Sequence, residues 1–210
     1  MKTGQISRRK FMQLTSVSGA CLVIGCVPNS SGESIANLSA TDPVGLNQFI
    51  SIDNIGKVIL YNHRPEMGQG IYQAIPMILA EELEVDINAV EIRQSEANSD
   101  LYGSQMVVGS HSIQGEFARM RLMGAAAKEM LISAAAQKWK ANVSECSAKN
   151  GIVTHSSGKT FSYGELVETA SKLSAPENPA LKDPKDFKVI GQSIIDPRNN
   201  RILQRSQYAL

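Results

Sequence analysis

Two periodicities divide the chain. In "QFISID" and "KVILYN" apolar and polar positions alternate, and "NIG" turns between them, which predicts a β-hairpin from about Gln48 to Asn62. From Ile71 to Leu83 the spacing changes to three and four, with Ile71, Ile75, Ile78, Leu79 and Glu82 in register on a helix. Alternation returns in "NAVEIRQSEA", a further strand. A long loop, "NSDLYGSQMVVGSHS", leads into a second helix over about Ile113 to Trp139. Its "GAAAKEMLISAAAQKW" portion combines high helix propensity with small residues that allow close packing. Past Asn142 the pattern shortens into strands with turns at Asn150-Gly151 and Ser157-Gly158. Ser162 and Glu165 then form a capping box for a helix through about Leu173, and "SAPENPALKDPKD" is a proline-bearing linker. The expected class is α+β: a β-hairpin and strands packed with two main helices, plus a small strand-turn-helix segment.

The first residues follow neither period. Ser7-Arg8-Arg9 with Phe11 precedes an uncharged stretch from Leu14 to Val27, too short for a membrane span and suited to a signal core. Residues 1–27 therefore read as a twin-arginine export signal, which implies a periplasmic or membrane-attached protein. Val23-Ile24-Gly25-Cys26 is similar to a lipobox, so Cys26 is a candidate lipidation residue that would anchor the chain to a membrane surface. The alternative is that Cys26 fills an apolar slot of the signal core. Residues 28–46, rich in Ser, Asn, Gly and Pro, read as a flexible tether. Residues 47–142 and 143–191 then form a main portion and a small α+β extension with linker, and 192–210 a divergent tail.

Charge and cysteine narrow the function. Lys2, Arg8, Arg9 and Lys10 outweigh the net charge of +1, so the chain beyond residue 25 sums to −3. An acidic body without a basic stripe excludes nucleic acid as a partner. Cys21 and Cys26 fall in the signal, which leaves Cys146 alone in the body. No intrachain disulfide and no cysteine-built metal site can form there. His63, His111 and His155 are the only histidines, too few for a histidine cluster, and Glu81, Glu82 and Glu84 read as a solvated helix face.

Two loops carry candidate chemistry. In Met67-Gly68-Gln69-Gly70, glycines precede a helix, where backbone N–H groups can approach an anion and Gln69 adds one donor and one acceptor. Val108-Gly109-Ser110-His111-Ser112 repeats the arrangement before the second helix, with Ser112 also able to serve as a plain cap. Neither loop completes a Gly-x-x-x-x-Gly-Lys or Gly-x-Gly-x-x-Gly nucleotide signature. Taken singly, each is equally a strand-to-helix turn.

Taken in order, "EMGQG", "LAEEL", "VEIRQSEA", "GSHS" and "GAAAKEMLISAAAQKW" resemble the molybdopterin-binding large subunit of the xanthine dehydrogenase and aldehyde oxidase family, of the isoquinoline 1-oxidoreductase beta-subunit type. "NGIVTHSSGKTFSYGELVETAS" and "LKDPKDFKVIG" extend the resemblance to about Gly191. The resemblance makes residues 47–142 part of a molybdopterin-binding domain. It implies an oxidoreductase that hydroxylates aromatic heterocycles or oxidises aldehydes with a molybdopterin cofactor, in the cytosine dinucleotide form. It also implies [2Fe-2S] clusters on a small partner subunit, not on this chain. By the same resemblance Met67, Gly68, Gln69 and Gly70 belong to a loop touching the pterin, and Gly109, Ser110 and Ser112 to a loop near pterin and phosphates. Val108 stands where the family loop has its first glycine. Family subunits continue for several hundred residues and carry their catalytic glutamate there, so no catalytic residue and no protein metal ligand is assigned here. The expectation is an N-terminal fragment of a molybdenum hydroxylase large subunit, inactive alone and completed by the remaining large-subunit segments. The alternatives are an exported, lipidated binding or scaffold protein, or the product of a decayed gene.

Overall fold

The computed structural model describes residues 44–193. The signal, Cys26, the tether up to residue 43 and the tail from residue 194 lie outside the described residues. Four strands form the first sheet in chain order: β1 (Val44–Asn47), β2 (Ile50–Ile52), β3 (Val58–Asn62) and β4 (Glu91–Gln94). β2 and β3 are the expected hairpin, paired antiparallel from Ile50↔Leu60 to Ile52↔Val58. Asp53 shapes its turn, its Oδ1 accepting from Ile55 N and Lys57 N. The sheet starts at Val44 rather than near Gln48, because Val44 and Gly45 pair with Ile52 and Ser51 and bury Leu46. The last three residues of the expected tether are thus part of β1.

β4 runs parallel to β3, with Ile59↔Glu91 through Asn62↔Gln94 in register. A parallel pair needs a crossover, and α1 (Ile71–Leu83) supplies it. The loop before α1 therefore leaves the carboxyl end of β3, the first strand of the parallel pair. Helix α1 continues past the buried Pro76, which removes one backbone donor from its second turn. Past β4 the chain makes the short helix α2 (Ser99–Tyr102), capped by the Asn98 side chain on Leu101 N at 3.1 Å. The second main helix is split into α3 (His111–Gln114) and α4 (Phe117–Trp139), separated at Gly115 and Glu116.

Residues 143–193 build the second sheet, β5 (Cys146–Lys149), β6 (Ile152–His155) and β7 (Thr160–Ser162), and then α5 (Tyr163–Ala170). The turns at Asn150-Gly151 and Ser157-Gly158 and the Ser162–Glu165 capping box form as expected. One hydrophobic cluster joins the two sheets: Leu46, Phe49, Leu60, Ile75 and Leu79 share it with Leu131, Val153, Tyr163 and Leu166. The Tyr163 hydroxyl donates to the Leu83 carbonyl at 2.7 Å in the buried interior, and burial, followed by the Glu84 charge, pushes its ionisation up.

The tightest helix contact lies between α1 and α4. A Cβ built on Gly124 would stand 2.7 Å from the Leu79 carbonyl oxygen and 2.9 Å from Glu82 Cβ, so the two backbones touch where the side chain is absent. Gly124→Val should therefore destabilise the chain by about 1–3 kcal/mol, the ordinary cost of overpacking. Tyr163→Phe, which leaves the buried Leu83 carbonyl without its donor, should cost about 1–3 kcal/mol. Urea unfolding of the two variants measures both, and wild-type midpoints would contradict the packing described.

Candidate functional site

The two motif loops, about forty residues apart in sequence, meet in space. Met67, Gln69, Ile71 and Ala74 from the start of α1 face Val107, Val108, Gly109, Ser110, Ser112 and Ile113 across a cavity of about 400 Å³. Five of the seven residues singled out in sequence, Met67, Gln69, Gly109, Ser110 and Ser112, line it directly. Gly68 and Gly70 belong to the same loop behind it. The mouth is apolar and open: Met67 is 70% exposed, Val108 63% and nearby Met106 66%. Exposed methionine and valine at one rim make an unusually apolar surface for a soluble face.

The backbone at both loops is special. Gly68 (φ 99°) and Gly70 (φ 85°) take left-handed angles before α1, and Gly109 (φ 62°) and Ser110 (φ 58°) do so before α3. Ser110 is the residue preceding α3, yet its side chain makes no cap bond, and Ser112 is buried within the helix rather than acting as the cap. His111, expected in the loop, opens α3, with its ring 3.1 Å from where a Gly109 Cβ would stand.

The first loop departs from the helix-mouth expectation. The N–H groups expected to meet an external anion are already taken. Glu66 Oε1 accepts from Gly68 N at 2.7 Å and Gly70 N at 3.1 Å, and its Oε2 accepts from Tyr72 N at 2.8 Å. The Gln69 amide is also committed, with Oε1 accepting from Met67 N at 2.6 Å and Nε2 donating to the Pro65 carbonyl at 3.0 Å. The glycines of the motif draw the eye in sequence, and Glu66 beside them does not. An acid just ahead of a helix start was the available signal, since negative charge is favoured there.

Behind the loops lies a partly buried polar layer that the sequence did not reveal. Asn62, wholly buried, donates to the Arg64 carbonyl and to Gln94 Oε1 at 2.9 Å, tying the ends of β3 and β4. Gln105 Nε2 reaches the His63 carbonyl at 3.2 Å, Ser95 Oγ at 3.0 Å and the Glu96 carbonyl at 2.9 Å. Glu116, in the gap between α3 and α4, accepts from Arg64 at 2.7 Å and from Arg119 at 3.3 Å. Arg64 also donates to the Met106 carbonyl, so one guanidinium links the two loops. Arg119 donates to the Tyr102 carbonyl at 2.8 Å and lies over the Phe49 ring.

His63 is sealed beneath this layer, edge-on to Phe49 at 5.2 Å, with Nε2 3.5 Å from Glu116 and no hydrogen bond at either ring nitrogen. Burial lowers its pKa most; Glu116 raises it, and Arg64 and Arg119 lower it again, leaving it at about 4 against an ordinary 6.5. The folded state thus holds His63 neutral, while the unfolded chain binds a proton below pH 6.5. This contribution to stability is whole above pH 6.5 and is lost as pH falls toward 4, by on the order of 3 kcal/mol.

The acidic cluster at the end of α1 also differs from expectation. Glu81 and Glu82 are buried, not solvated. Glu82 accepts from Arg121 at 2.6 Å and from Lys182 N at 2.9 Å. Glu81 accepts from the N–H groups of Lys188, Val189 and Ile190 at 2.8, 2.6 and 3.0 Å and from the Lys182 ammonium at 2.6 Å. Burial opposes ionisation of Glu81, but Lys182 and these three N–H groups outweigh it and hold its carboxyl below the usual range. The segment expected as a linker is strapped to α1 by these carboxylates. Among the described residues no three His, Cys, Asp or Glu side chains gather as metal ligands, and no helix is long and apolar enough to cross a membrane. Cys146 is half-buried, and burial, then Glu145, pushes its thiol up, which does not favour a nucleophilic thiolate.

Known proteins share this sequence pattern. Residues 7–201 match the model of the molybdopterin cofactor-binding domain, and the chain belongs to that family. Its relatives include an isoquinoline 1-oxidoreductase, a nicotinate dehydrogenase and an aldehyde dehydrogenase. The chain is 28% identical to the beta chain of isoquinoline 1-oxidoreductase of Brevundimonas diminuta, over 84% of its own length and 23% of that protein. It is 25% identical to one of the subunits of nicotinate dehydrogenase of Pseudomonas putida, over 86% of this chain and 15% of that one. It is 29% identical to a protein named as the membrane-bound aldehyde dehydrogenase (pyrroloquinoline-quinone) of Gluconacetobacter polyoxogenes, over 90% and 25%. The chain thus spans a quarter or less of the curated relatives it matches. Among solved structures it is similar to a Cu,Mo-CO dehydrogenase (22% identity, TM-score 0.42, 56% of this chain and 15% of that one). A quinoline 2-oxidoreductase from Pseudomonas putida 86 also matches (21% identity, TM-score 0.37, 67% and 17%).

The His63 assignment can be checked by denaturation of wild type and His63→Leu at several pH values. The stability difference between them should shift by on the order of 3 kcal/mol between pH 6.5 and 4. A difference that stays level across that window would show that His63 is not held neutral.

Proposed function

We propose that this chain supplies part of the molybdopterin-binding wall of a molybdenum hydroxylase large subunit. The observation that carries the reading is the meeting of the 66–70 and 107–112 loops on one cavity, in a chain of the molybdopterin cofactor-binding family. The residues fit such a group. Met67, Ile71, Ala74 and Val108 would lie against the flat pterin. Ser110, whose side chain is not used as a cap, and Ser112 would meet polar edges or phosphate oxygens, with Gly109 allowing close approach. Gly68, Gln69 and Gly70 would contribute loop shape, since their N–H and amide groups are engaged within the loop. When bound, the cofactor would supply molybdenum for oxidation with water-derived oxygen.

The finer reading follows the family resemblance. We assign the cofactor as the cytosine dinucleotide form, the electron acceptor as [2Fe-2S] clusters on a small partner subunit, and the substrate class as aromatic N-heterocycles or aldehydes. The chain alone is read as inactive, with no catalytic residue of its own among those assigned. Ser7-Arg8-Arg9 supports export by the twin-arginine route, and Cys26 supports a lipid anchor at the membrane surface. The open apolar rim favours this reading over a free-standing scaffold, because a self-contained binding module would not leave Met67, Met106 and Val108 uncovered.

Co-expression with the neighbouring subunits, followed by molybdenum analysis and release of the nucleotide from the purified complex, tests the proposal. Wild-type complex should hold molybdenum and release a cytosine nucleotide. Gly109→Val should lower cofactor content by about five- to thirtyfold, the effect of losing a contact worth about 1–2 kcal/mol. An assembled complex free of molybdopterin would overturn the reading. For the anchor, Cys26→Ser should move the protein from the membrane to the soluble fraction, and unchanged fractionation would remove that part.

A further inference from the structure

The path from Pro65 to Tyr72 is held by side chains of the loop itself. A single carboxylate, that of half-buried Glu66, spans it: one oxygen takes the N–H groups of Gly68 and Gly70, the other takes Tyr72 N in the first turn of α1. Gln69 closes the loop a second time by joining Met67 N to the Pro65 carbonyl. Both bridged glycines have left-handed φ, and glycine is the residue with the most backbone freedom to lose.

We infer that Glu66 is the positioning residue of this loop: its carboxylate ties Gly68, Gly70 and Tyr72 together, so that Met67 and Gln69 stand at the cavity wall before any ligand arrives. What the loop is positioned for rests on the cofactor reading above; the positioning itself does not. The electrostatics are favourable, because a negative carboxylate at the start of α1 complements the positive end of the helix. The arrangement also reserves three donors, so an external anion can reach them only by displacing Glu66 against its like charge. A ligand that enters the cavity therefore finds a loop already shaped, with its ordering cost met within the chain.

Nuclear magnetic resonance of the full-length, nitrogen-labelled chain tests this directly. In wild type the amide protons of Gly68, Gly70 and Tyr72 should be protected from exchange, and acetate should leave their shifts unmoved. In Glu66→Gln the shifts of all three should move while resonances elsewhere keep their positions, which separates positioning from folding. In Glu66→Ala the three amides should exchange faster, and added acetate should return their shifts toward wild type by filling the vacated acceptor position. Amides whose shifts stay unchanged in Glu66→Gln, or that exchange at the wild-type rate in Glu66→Ala, overturn the inference. Cofactor content in the co-expressed complex provides the second arm. Glu66→Ala should reduce it severalfold, and wild-type content would also overturn the positioning role. A wild-type complex without molybdopterin would remove the cofactor reading alone, with the amide exchange still deciding Glu66.

Discussion

The close approach of α1 and α4 at Gly124 is the constraint on which the face with the two loops depends. Because no side chain separates the helices there, α4 meets α1 at Leu79 and Glu82, and Arg121 of α4 reaches Glu82. Toward their amino ends, Ile71 and Ala74 of α1 face Ser112 and Ile113 of α3. Contacts thus advance in the same sense along both paths, and the two loops arrive at one edge. A larger residue at Gly124 would spread the helices and, with them, the loops they carry. The apolar cluster under α1 and α4 then fixes this arrangement against the sheet.

Buried carboxylates do the rest of the organising, and each is compensated. Glu116 stands between Arg64 and Arg119, Glu82 between Arg121 and the Lys182 N–H, and Glu81 between the Lys182 ammonium and three consecutive N–H groups. An uncompensated carboxylate at such depth would be strongly destabilising, which makes these groups specific fasteners between distant segments. Glu116 joins the strand end after β3 to the start of α4; Glu81 and Glu82 bind residues 182–190 across the end of α1. His63, between Glu116 and Phe49, stays neutral in the same layer because burial disfavours its charge and two arginines already balance the one carboxylate.

The loops themselves look different once their donors are accounted for. Helix starts attract negative charge, and in this chain Glu66 answers that attraction internally. The second loop is arranged otherwise: Ser110 stands before α3 with its hydroxyl unused as a cap, beside a glycine that permits close approach. The two sides of the cavity are therefore unequal, one shaped from within and one offering groups to whatever enters. The uncovered methionines and valine at the rim complete a surface that suits a contact with further protein.

Local patterns determined much of this molecule from sequence alone. The hairpin, the span of α1, the turns at Asn150-Gly151 and Ser157-Gly158, the Ser162–Glu165 box and the family itself were legible, because alternation, helical spacing, turn chemistry and ordered motifs are properties of neighbouring residues. The two loops were legible as glycine-bearing helix starts for the same reason. Tertiary structure alone decided that β4 pairs parallel to β3, that β1 begins at Val44, and that the two loops share one cavity. It also decided that Glu81 and Glu82 are buried under Lys182, Arg121 and the 188–190 N–H groups, although their charge argued for a solvated face. Those outcomes depend on partners from about forty to about a hundred residues away. No local period reports the partner that makes burying a charge tolerable, or the acceptor that claims a donor first.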